Sequence, residues 1–417
     1  LSPFVVPSYH GQFPQSAKLN KDMPNIKTSI RTAALFIGPA FAGTVWMLPP
    51  PEGLGMPALA VSAIAVWMVV WWMTEAVPLA VTALLPVFLF PALGVASAGD
   101  TTVAYANPLI FLFLGGFLMA QAIQRWGLSR RIALRILGLA GERPAGVVAA
   151  IMTATAFLSM WVSNTATAMM MLPIGQAIIL AVTGEASDAE QKKVAGFCAA
   201  LMLGIAYGAT IGGMGTLIGT PPNALFAGFM AETYGIEISF SRWMLIGVPA
   251  VVVLLPITWV VLTRISFQLP NHMAGLSATA VGKSLEQSAR MSVDERRVSL
   301  LVLFAAVAWI TRPLLEGLLP WLSINDAAIA IAVAIMLFIV PSRSQPDRAL
   351  LTWDDAQKIR WDVLILFGGG LALADAIAST GLAAWLGSGA SLFTALPWLV
   401  LILLMIAVIV FVGELAS

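Results

Sequence analysis

The sequence contains few charged residues and little of the chemistry that builds metal centres. Only 10% of its 417 residues are charged, whereas soluble domains carry about 25%, so water cannot be the solvent for most of the surface. Cys198 is the single cysteine and lies in an apolar run, which excludes a disulfide framework and a thiolate metal site. His10 and His272 lie in polar segments, which excludes a histidine metal centre in a bilayer.

Motifs of soluble enzymes are also missing. No Walker sequence or other nucleotide-binding loop occurs, so an ATP-driven mechanism has no support. The chain offers no nucleophile–base or metal-ligand set, which argues against a membrane-embedded enzyme and against a prosthetic group. The net charge of +1 gives no indication of a nucleic-acid partner. We therefore expect neither an enzyme nor a nucleic-acid-binding protein.

What the sequence does contain is a series of long apolar runs, because 59% of its residues are hydrophobic. The runs are continuous and do not alternate polar with apolar residues, which favours spanning helices over a barrel. The sequence thus predicts an all-α, polytopic protein of the lipid bilayer. The predicted apolar segments are 33–48, 57–73, 76–95, 109–124, 145–183, 198–229, 243–263, 299–311, 325–340, 363–379 and 391–412.

The basic residues predict the orientation, because Lys and Arg concentrate in cytoplasmic loops. If residues 1–32 are cytoplasmic and residues 145–183 enter and leave on that side, 20 of the 22 basic residues are cytoplasmic, leaving Arg242 and Arg312 outside. A single crossing by 145–183 would destroy this asymmetry. We therefore predict a first transmembrane helix and loop at 33–56, a re-entrant hairpin at 145–183 and a cytoplasmic linker at 264–298.

An internal repeat relates two parts of the chain. Residues 109–128 and 363–382 align at a constant offset of 254, which superimposes a Gly-Gly pair and a later Gly-Leu pair. In the predicted orientation the copies cross the membrane in opposite directions, which is typical of secondary transporters with a midplane site. We predict a first inverted repeat over 57–263, with scaffold helices to about 144 and a broken helix at 198–229, and a second over 299–417.

The strongest candidate site lies between Ser159 and Thr167, where five polar side chains interrupt an apolar stretch. Each unsatisfied polar group in hydrocarbon costs several kcal/mol. Serine and threonine hydroxyls can bond to their own helix, but the Asn164 amide cannot be satisfied in this way. A hairpin tip at Ser163-Asn164-Thr165 would gather oxygen atoms that suit sodium, and nearby helix N-termini would favour an anion.

A second candidate site covers residues 212–223, where four glycines precede the run Thr220-Pro221-Pro222-Asn223. Proline removes a backbone donor, and glycine lets the chain open and lets a ligand approach. A kink at Pro221 alone would explain one break but not the four glycines. Since unwound backbone at membrane depth must be buried in protein or line a cavity, the run predicts a broken helix beside a site.

Two carboxylates in or near the spans leave alternatives open. Glu75 follows Trp71 and Trp72 near the predicted cytoplasmic interface, which favours a structural role over a proton carrier. Asp375 lies inside a predicted span at the repeat position of Gln121. A helix-to-helix hydrogen bond and a functional role are equally compatible with this position.

Four motifs occur together and in order: Trp72 to Pro78, Ser163 to Thr167, Ile211 to Asn223 and Trp361 to Gly370. As a group they resemble the divalent anion:sodium symporter family, which includes the INDY-type di- and tricarboxylate carriers. The resemblance runs from about residue 57 to the end. It implies a homodimer with an elevator mechanism and two inverted repeats, each with a re-entrant hairpin that ends in Ser-Asn-Thr.

The resemblance also implies roles for individual residues. The implied first sodium site consists of Ser159, Ser163, Asn164 and the backbone near Gly212. Asn164 and Thr165 would also face the substrate carboxylate. The broken helix adds Thr220 and Pro221 as candidate substrate-binding residues.

The second Ser-Asn-Thr is expected at the end of the sequence. The interval of 47 positions from Gly116 to Ser163, counted from Gly370, reaches Ser417. Ser417 would then be a substrate-binding residue, and we expect the sequence to be truncated within an incomplete second repeat. Many family members have threonine where this chain has Gly413, which puts a hydroxyl ligand there in doubt.

The implied function is sodium-coupled symport of C4-type dicarboxylates such as succinate, malate or fumarate, with Na⁺ as the co-transported ion. The alternative is a sodium-independent dicarboxylate exchanger of the same fold, and citrate, tartrate or sulfate would be read by similar polar sites. A carrier-derived sensor is disfavoured because the sequence contains no soluble signalling domain. In the absence of organelle or secretory signals, we expect a multi-pass protein of a bacterial inner membrane.

Overall fold

The computed structural model describes residues 26–185, 191–273, 276, 291–318, 324–389 and 397–416. Helices dominate these ranges, because a helix satisfies its backbone polar groups within one segment when hydrocarbon offers no partners. The helices of the first part are α1 Ile26–Met47, α2 Met56–Thr74, α3 Leu79–Thr82, α4 Leu85–Ala92, α5 Ala98–Val103, α6 Pro108–Arg125 and α7 Leu128–Leu137.

The candidate site residues lie on the next group of helices, which is α8 Pro144–Ser159, α9 Asn164–Glu185, α10 Gln191–Gly213, α11 Pro221–Tyr234 and α12 Phe240–Val260. The remaining helices are α13 Val293–Leu318, α14 Asp326–Ile339, α15 Trp353–Ala356, α16 Trp361–Ser379, α17 Leu382–Gly389 and α18 Trp398–Ala416. In the described ranges, β-structure is limited to one isolated bridge between Pro341 and Ala349.

Seven helical segments of the described chain are long and apolar enough to cross a membrane. They are Met56–Thr74, Ala98–Arg125, Asn164–Gly184, Gln191–Gly213, Phe240–Ser266, Val293–Leu314 and Trp361–Ser379. Several shorter apolar helices accompany them, among them α8 with 16 residues and α14 with 14. The predicted all-α, polytopic architecture is confirmed.

The two copies of the internal repeat share their local backbone. Helices α6 and α16 are each followed by a glycine in the left-handed conformation, Gly127 with φ 72° and Gly381 with φ 80°, and then by the short helices α7 and α17. The copies also contact each other, since the rings of Phe113 and Phe367 lie 5.0 Å apart. The repeat seen in the sequence therefore corresponds to equivalent helix–glycine–helix units.

The apolar segment predicted at 76–95 contains two short helices, α3 and α4. Pro86 lies near the N-terminus of α4 and has no N–H to donate. Its ring would also clash with the carbonyl of residue 82, four positions earlier, and α3 ends there at Thr82. A proline therefore separates two helices within a single apolar run.

The predicted linker at 264–298 is longer than the break between helices. A π-helical turn, Val261–Ser266, extends α12 at one end. At the other end α13 begins at Val293 after a capping box, in which Glu295 N donates to Ser292 Oγ at 3.0 Å and Ser292 N donates to Glu295 Oε2 at 2.8 Å. The Ser-x-x-Glu spacing of Ser292 and Glu295 is typical of a helix N-terminus. It marks the start of α13 inside the charged stretch of the predicted linker.

Candidate functional site

A tight connection between α8 and α9 carries the Ser-Asn-Thr tripeptide. Helix α8 closes with hydrogen bonds from Trp161 N and Val162 N to Leu158 O, at 3.0 and 2.9 Å. Ser163 then begins the return, because its carbonyl accepts from Thr167 N at 2.9 Å. Its Oγ lies 3.4 Å from Ala166 N, a long capping contact. The chain therefore reverses over residues 160–163, and these residues define the hairpin tip.

Three oxygen atoms converge behind the hairpin tip. Ser159 Oγ lies 2.8 Å from Asn164 Oδ1 and 2.7 Å from the carbonyl oxygen of Ala209 on α10. Ser159 is fully buried. One hydroxyl proton can serve only one of these two acceptors at a time, so oxygen lone pairs face each other in a buried place. A cation between them, or the opposite orientation of the Asn164 amide, would relieve this repulsion.

Glycines on α10 allow the oxygen atoms to approach one another. A side chain on Gly213 would collide with Asn164 Oδ1 at 2.3 Å, and one on Gly212 would collide with Ala156 O of α8 at 2.2 Å. Helices α8 and α10 are therefore in backbone contact along this face. Small residues permit such close approach in membrane proteins, and here the approach brings the Ala209 carbonyl to the hairpin.

Residues 214–220 form an unwound segment between α10 and α11. Asn223 Nδ2 donates to the carbonyls of Gly213 and Thr216 at 2.9 and 2.8 Å. Trp243 Nε1 donates to Met214 O at 2.9 Å. The side chains of Asn223 and Trp243 thus donate to carbonyls that have no partner within a helix. Irregular backbone at membrane depth requires such partners.

The unwound segment also contacts the hairpin tip directly. Thr216 is fully buried, and its Oγ1 donates to the carbonyl of Met160. On the other side of the tip, the rings of Trp161 and Phe240 lie 6.2 Å apart. The two helix breaks are therefore joined by a hydrogen bond, and movement of one must affect the other.

The outer face of the hairpin tip lines a cavity of about 230 Å³. Ser163 and Thr165 contribute hydroxyl groups to its wall, and Gln121 and Gln124 of α6 contribute amides. Helix α9, which is 22 residues long, begins at this wall with Asn164. Its N-terminus supplies unpaired N–H groups and a partial positive charge that favour an anion.

The loop between α15 and α16 also lines this cavity, and Asp355 holds the loop in place. Asp355 forms an ion pair with Arg125 at the end of α6 and accepts from Thr352 Oγ1 at 2.6 Å. Burial of the Asp355 carboxyl opposes ionisation, but the hydrogen bonds from Thr352 and the positive charge of Arg125 outweigh it and lower its pKa. This buried pair anchors the loop against α6.

The structure brings some of the predicted site residues together and separates others. Ser159, Asn164 and Gly212 lie at the contact between α8 and α10, whereas Ser163 and Thr165 line the cavity. Thr220 and Pro221 begin α11, are half-buried and do not line this cavity. Ser417 lies outside the described residues.

The two isolated carboxylates lie away from the hairpin tip. Glu75 ends α2 in a left-handed conformation, is exposed and accepts from Arg31 Nη2 at 2.6 Å, which agrees with a structural role. Asp375 is exposed on α16. Its repeat counterpart, Gln121, lines the cavity, so the two equivalent positions have different surroundings.

Several contributors to the site were missed from the sequence. The Ala209 carbonyl could not be found, because a backbone oxygen has no residue signature. Asn223 was noted as part of the Pro-Pro-Asn run, but the sequence did not predict that its amide donates to the carbonyls of the unwound segment. Gln121 was considered only as the counterpart of Asp375. In the described part of the chain, no cluster of three or more His, Cys, Asp and Glu side chains forms a metal site.

A polytopic helical bundle, a hairpin tip with converging oxygens and an adjoining broken helix together define a membrane transporter. The chain belongs to the divalent anion:sodium symporter family, because residues 29–417 match the family model described as the sodium:sulfate symporter transmembrane region. This is a family of transporters and not of enzymes.

Two named relatives are similar over most of the chain. The sodium-dependent dicarboxylate transporter SdcS of Staphylococcus saprophyticus is 39% identical over 386 residues, which cover 92% of this chain and 74% of the relative. The protein of the same name from Staphylococcus aureus strain USA300 is 41% identical over 358 residues, which cover 85% of this chain and 68% of the relative. These relatives agree with the family model.

Proposed function

We propose that this chain is a sodium-coupled symporter of C4-type dicarboxylates such as succinate, malate or fumarate. The observation that carries the proposal is that Asn164 Oδ1 and Ala209 O both lie within 2.8 Å of Ser159 Oγ behind the hairpin tip. The family and the names of the similar transporters from Staphylococcus support sodium coupling and a dicarboxylate substrate.

The chemistry of the oxygen cluster suits sodium as a co-transported ion. Hydroxyl, amide and backbone carbonyl oxygens are hard ligands, and the cluster contains no thiolate or imidazole that would favour a transition metal. In this proposal Ser159, Ser163 and Asn164 bind sodium with the backbone of α10 from Ala209 to Gly212. A bound cation would draw the hairpin and the broken helix together and so shape the adjacent cavity.

The substrate then occupies the outer face of the hairpin tip. Asn164 and Thr165 would bind one carboxylate at the N-terminus of α9. Ser163 would belong to both the sodium site and the substrate site, because it also lines the cavity. Thr220 and Pro221, at the N-terminus of α11, are retained as substrate-binding candidates, as is Ser417. Sodium binding precedes tight dicarboxylate binding in this arrangement, because the cation orders the residues that the anion contacts.

Sodium dependence of uptake tests the proposed function. Full-length protein in proteoliposomes should accumulate labelled succinate when sodium is higher outside, and should not do so when potassium replaces sodium. Equal accumulation in both conditions, stimulated by internal dicarboxylate, would instead identify a sodium-independent exchanger. Competition by unlabelled malate, fumarate, citrate, tartrate and sulfate would then define the substrate class.

Two substitutions at Asn164 test the sodium site without requiring transport. Asn164→Ala removes the oxygen and should abolish stabilisation of the purified protein by sodium, because ligand binding to the folded state raises its stability. Asn164→Asp keeps an oxygen at the same place and should retain sodium-dependent stabilisation. If Asn164→Ala still responds to sodium like the unaltered protein, the site assignment is wrong.

We further propose a homodimer in a bacterial inner membrane, with a cytoplasmic N-terminus, repeats over 57–263 and 299–417, and an elevator movement. Light scattering in detergent tests the homodimer. Cys198 is the single cysteine, so a Cys198→Ser background allows one new cysteine to report orientation. On the proposed topology, Arg348→Cys should react with an impermeant thiol reagent only from the cytoplasmic side.

A further inference from the structure

The cavity at the hairpin tip is lined by two cationic residues as well as by hydroxyl groups of the tripeptide. Lys358 and Arg360 lie in the loop before α16, and they share the cavity with Ser163 and Thr165. We propose that Lys358 and Arg360 form a cationic vestibule that attracts the dicarboxylate and guides it between the cytoplasm and the hairpin tip. This inference rests on the proposed function and assigns these two residues a role in substrate capture.

The local charge balance leaves the vestibule positive. Asp355 is shared, because it pairs with Arg125 and lies 3.8 Å from Lys358 Nζ. Arg360 pairs with Asp362, with Nη2 2.8 Å from Oδ2. These five ion-paired groups comprise three cations and two carboxylates, and neither carboxylate lines the cavity.

Both cationic side chains are accessible to an incoming ligand. The Lys358 side chain is 66% exposed and that of Arg360 is 50% exposed. Exposed ion pairs in water are weak, typically worth about 0–1 kcal/mol, so a doubly charged anion can compete for these partners. In turning toward a ligand, Lys358 would give up a long 3.8 Å contact with Asp355, which keeps Arg125, and Arg360 would exchange a solvent-exposed two-point contact with Asp362.

The rest of the cavity wall is suited to an anion. Among the described lining residues there is no Asp or Glu, and the polar groups are the amides of Gln121 and Gln124 and the two hydroxyls. One water needs about 10–15 Å³ of this kind of volume, so a cavity of about 230 Å³ has room for a four-carbon dicarboxylate and several waters.

A second cavity of similar size shows that this bias is not a general property of the protein. It has a volume of about 240 Å³ and is lined by Glu237, Asp326 and Arg312 among others. Arg312 already pairs with Asp326 at 3.3 Å there. Acidic groups therefore line that cavity, while only basic ionisable groups line the cavity at the hairpin tip.

The expected effect of the vestibule is electrostatic and therefore depends on salt. Lys358→Gln and Arg360→Gln should each weaken succinate binding by about threefold at ~0.1 M ionic strength, and the double variant by about tenfold. At ~1 M the screening length falls from about 10 Å to about 3 Å, and the differences should shrink to less than about twofold. Sodium-dependent stabilisation should remain unchanged, because neither residue contacts the oxygen cluster.

The test uses full-length protein in detergent and measures binding of labelled succinate at constant sodium, with choline chloride setting the ionic strength. Arg348→Gln is the matched control, since Arg348 is an exposed cation of the same connection and does not line the cavity. Lys358→Arg keeps the charge and should bind like the unaltered protein. Unaltered sodium-dependent stabilisation of each variant reports correct folding.

The possible results separate this inference from the proposed function. Salt-sensitive weakening in the two glutamine variants, with Arg348→Gln and Lys358→Arg normal, would support the vestibule. Equal affinity of the unaltered protein and the double variant, or weakening that is the same at both ionic strengths, would overturn it while leaving symport intact. Absence of sodium-dependent succinate binding in the unaltered protein would overturn the proposed function itself.

Discussion

Replacement of Gly212 by alanine tests whether close contact between α8 and α10 holds the oxygen cluster together. The new Cβ would lie 2.2 Å from Ala156 O and 2.4 Å from Ala156 Cα. Both neighbours are backbone atoms, so no side-chain rotation can relieve the clash. Ordinary contact requires about 3.4 Å, and the two helices must therefore separate by about 1 Å.

This separation should affect both stability and sodium affinity. Overpacking of a well-packed interior costs about 1–3 kcal/mol, and the helix-forming advantage of alanine over glycine returns about 0.5–1 kcal/mol. We expect a net loss of about 1–2 kcal/mol. A shift of about 1 Å would also lengthen the 2.7 Å contact between Ser159 Oγ and Ala209 O beyond hydrogen-bonding range. Sodium affinity should consequently fall by about tenfold or more, equivalent to about 1.4 kcal/mol.

The assay is thermal unfolding of the purified protein at increasing sodium concentration, from which an apparent sodium affinity follows. Two further glycines supply graded controls. An alanine Cβ at Gly204 would meet side chains alone, the flexible Met152 at 3.0 Å and Val148 Cγ1 at 3.5 Å, and one at Gly184 would meet nothing within 4 Å. Gly204→Ala should have a small effect and Gly184→Ala none on sodium. The reasoning is refuted if Gly212→Ala unfolds and binds sodium like Gly184→Ala.

Three further predictions concern the supports of the site. Asn223→Ala removes the side-chain donor to Gly213 O and leaves Thr216 O with only the 3.3 Å bond from Gly219 N, so we expect a loss of about 1–3 kcal/mol and a lower unfolding temperature; an unchanged temperature would exclude this role. Because the pKa of Asp355 is lowered below 3.8, its stabilising contribution is complete above that pH and lost as pH falls below it. Unfolding of Asp355→Asn should therefore show a smaller drop in stability below about pH 4, but lower stability near pH 7 because Arg125 loses its partner; parallel pH curves would contradict this. Arg131→Lys breaks a buried two-point contact with Glu295, in which Nε and Nη2 each donate at 2.9 Å, and should cost about 2 kcal/mol although charge is kept; a normal unfolding temperature would contradict it.

Composition and motif order predicted the class of protein well. Scarce charge and continuous apolar runs favour helices, which satisfy their own backbone polar groups in a bilayer. The seven long apolar helices found among the described residues agree with this prediction. The break at Ser163 was predictable because polar side chains in hydrocarbon need partners. The unwound segment at 214–220 was predictable because glycines and a Pro-Pro pair cannot continue a regular helix. These are local consequences of residue type.

Helix boundaries were less predictable where short signals compete with hydrophobicity. Pro86 divides the apolar run at 76–95, and the capping box at Ser292 starts α13 inside a charged stretch. Both signals depend on one or two residues, whereas the hydrophobic pattern extends over twenty. The predicted apolar segment at 76–95 therefore contains two helices, and α13 begins before the predicted apolar segment at 299–311.

The sequence by itself determined that the chain crosses the membrane many times and that Ser163-Asn164-Thr165 interrupts an apolar stretch. Only the tertiary structure decided which atoms meet there. Ala209 contributes a backbone carbonyl, which any residue could supply, and its position depends on how closely α10 packs on α8. Lys358 and Arg360 reach the same cavity from almost two hundred residues away in the chain. These contacts depend on how helices that are far apart in the sequence pack together. A hydrophobic pattern indicates which face of a helix is buried, but not which helix packs against that face.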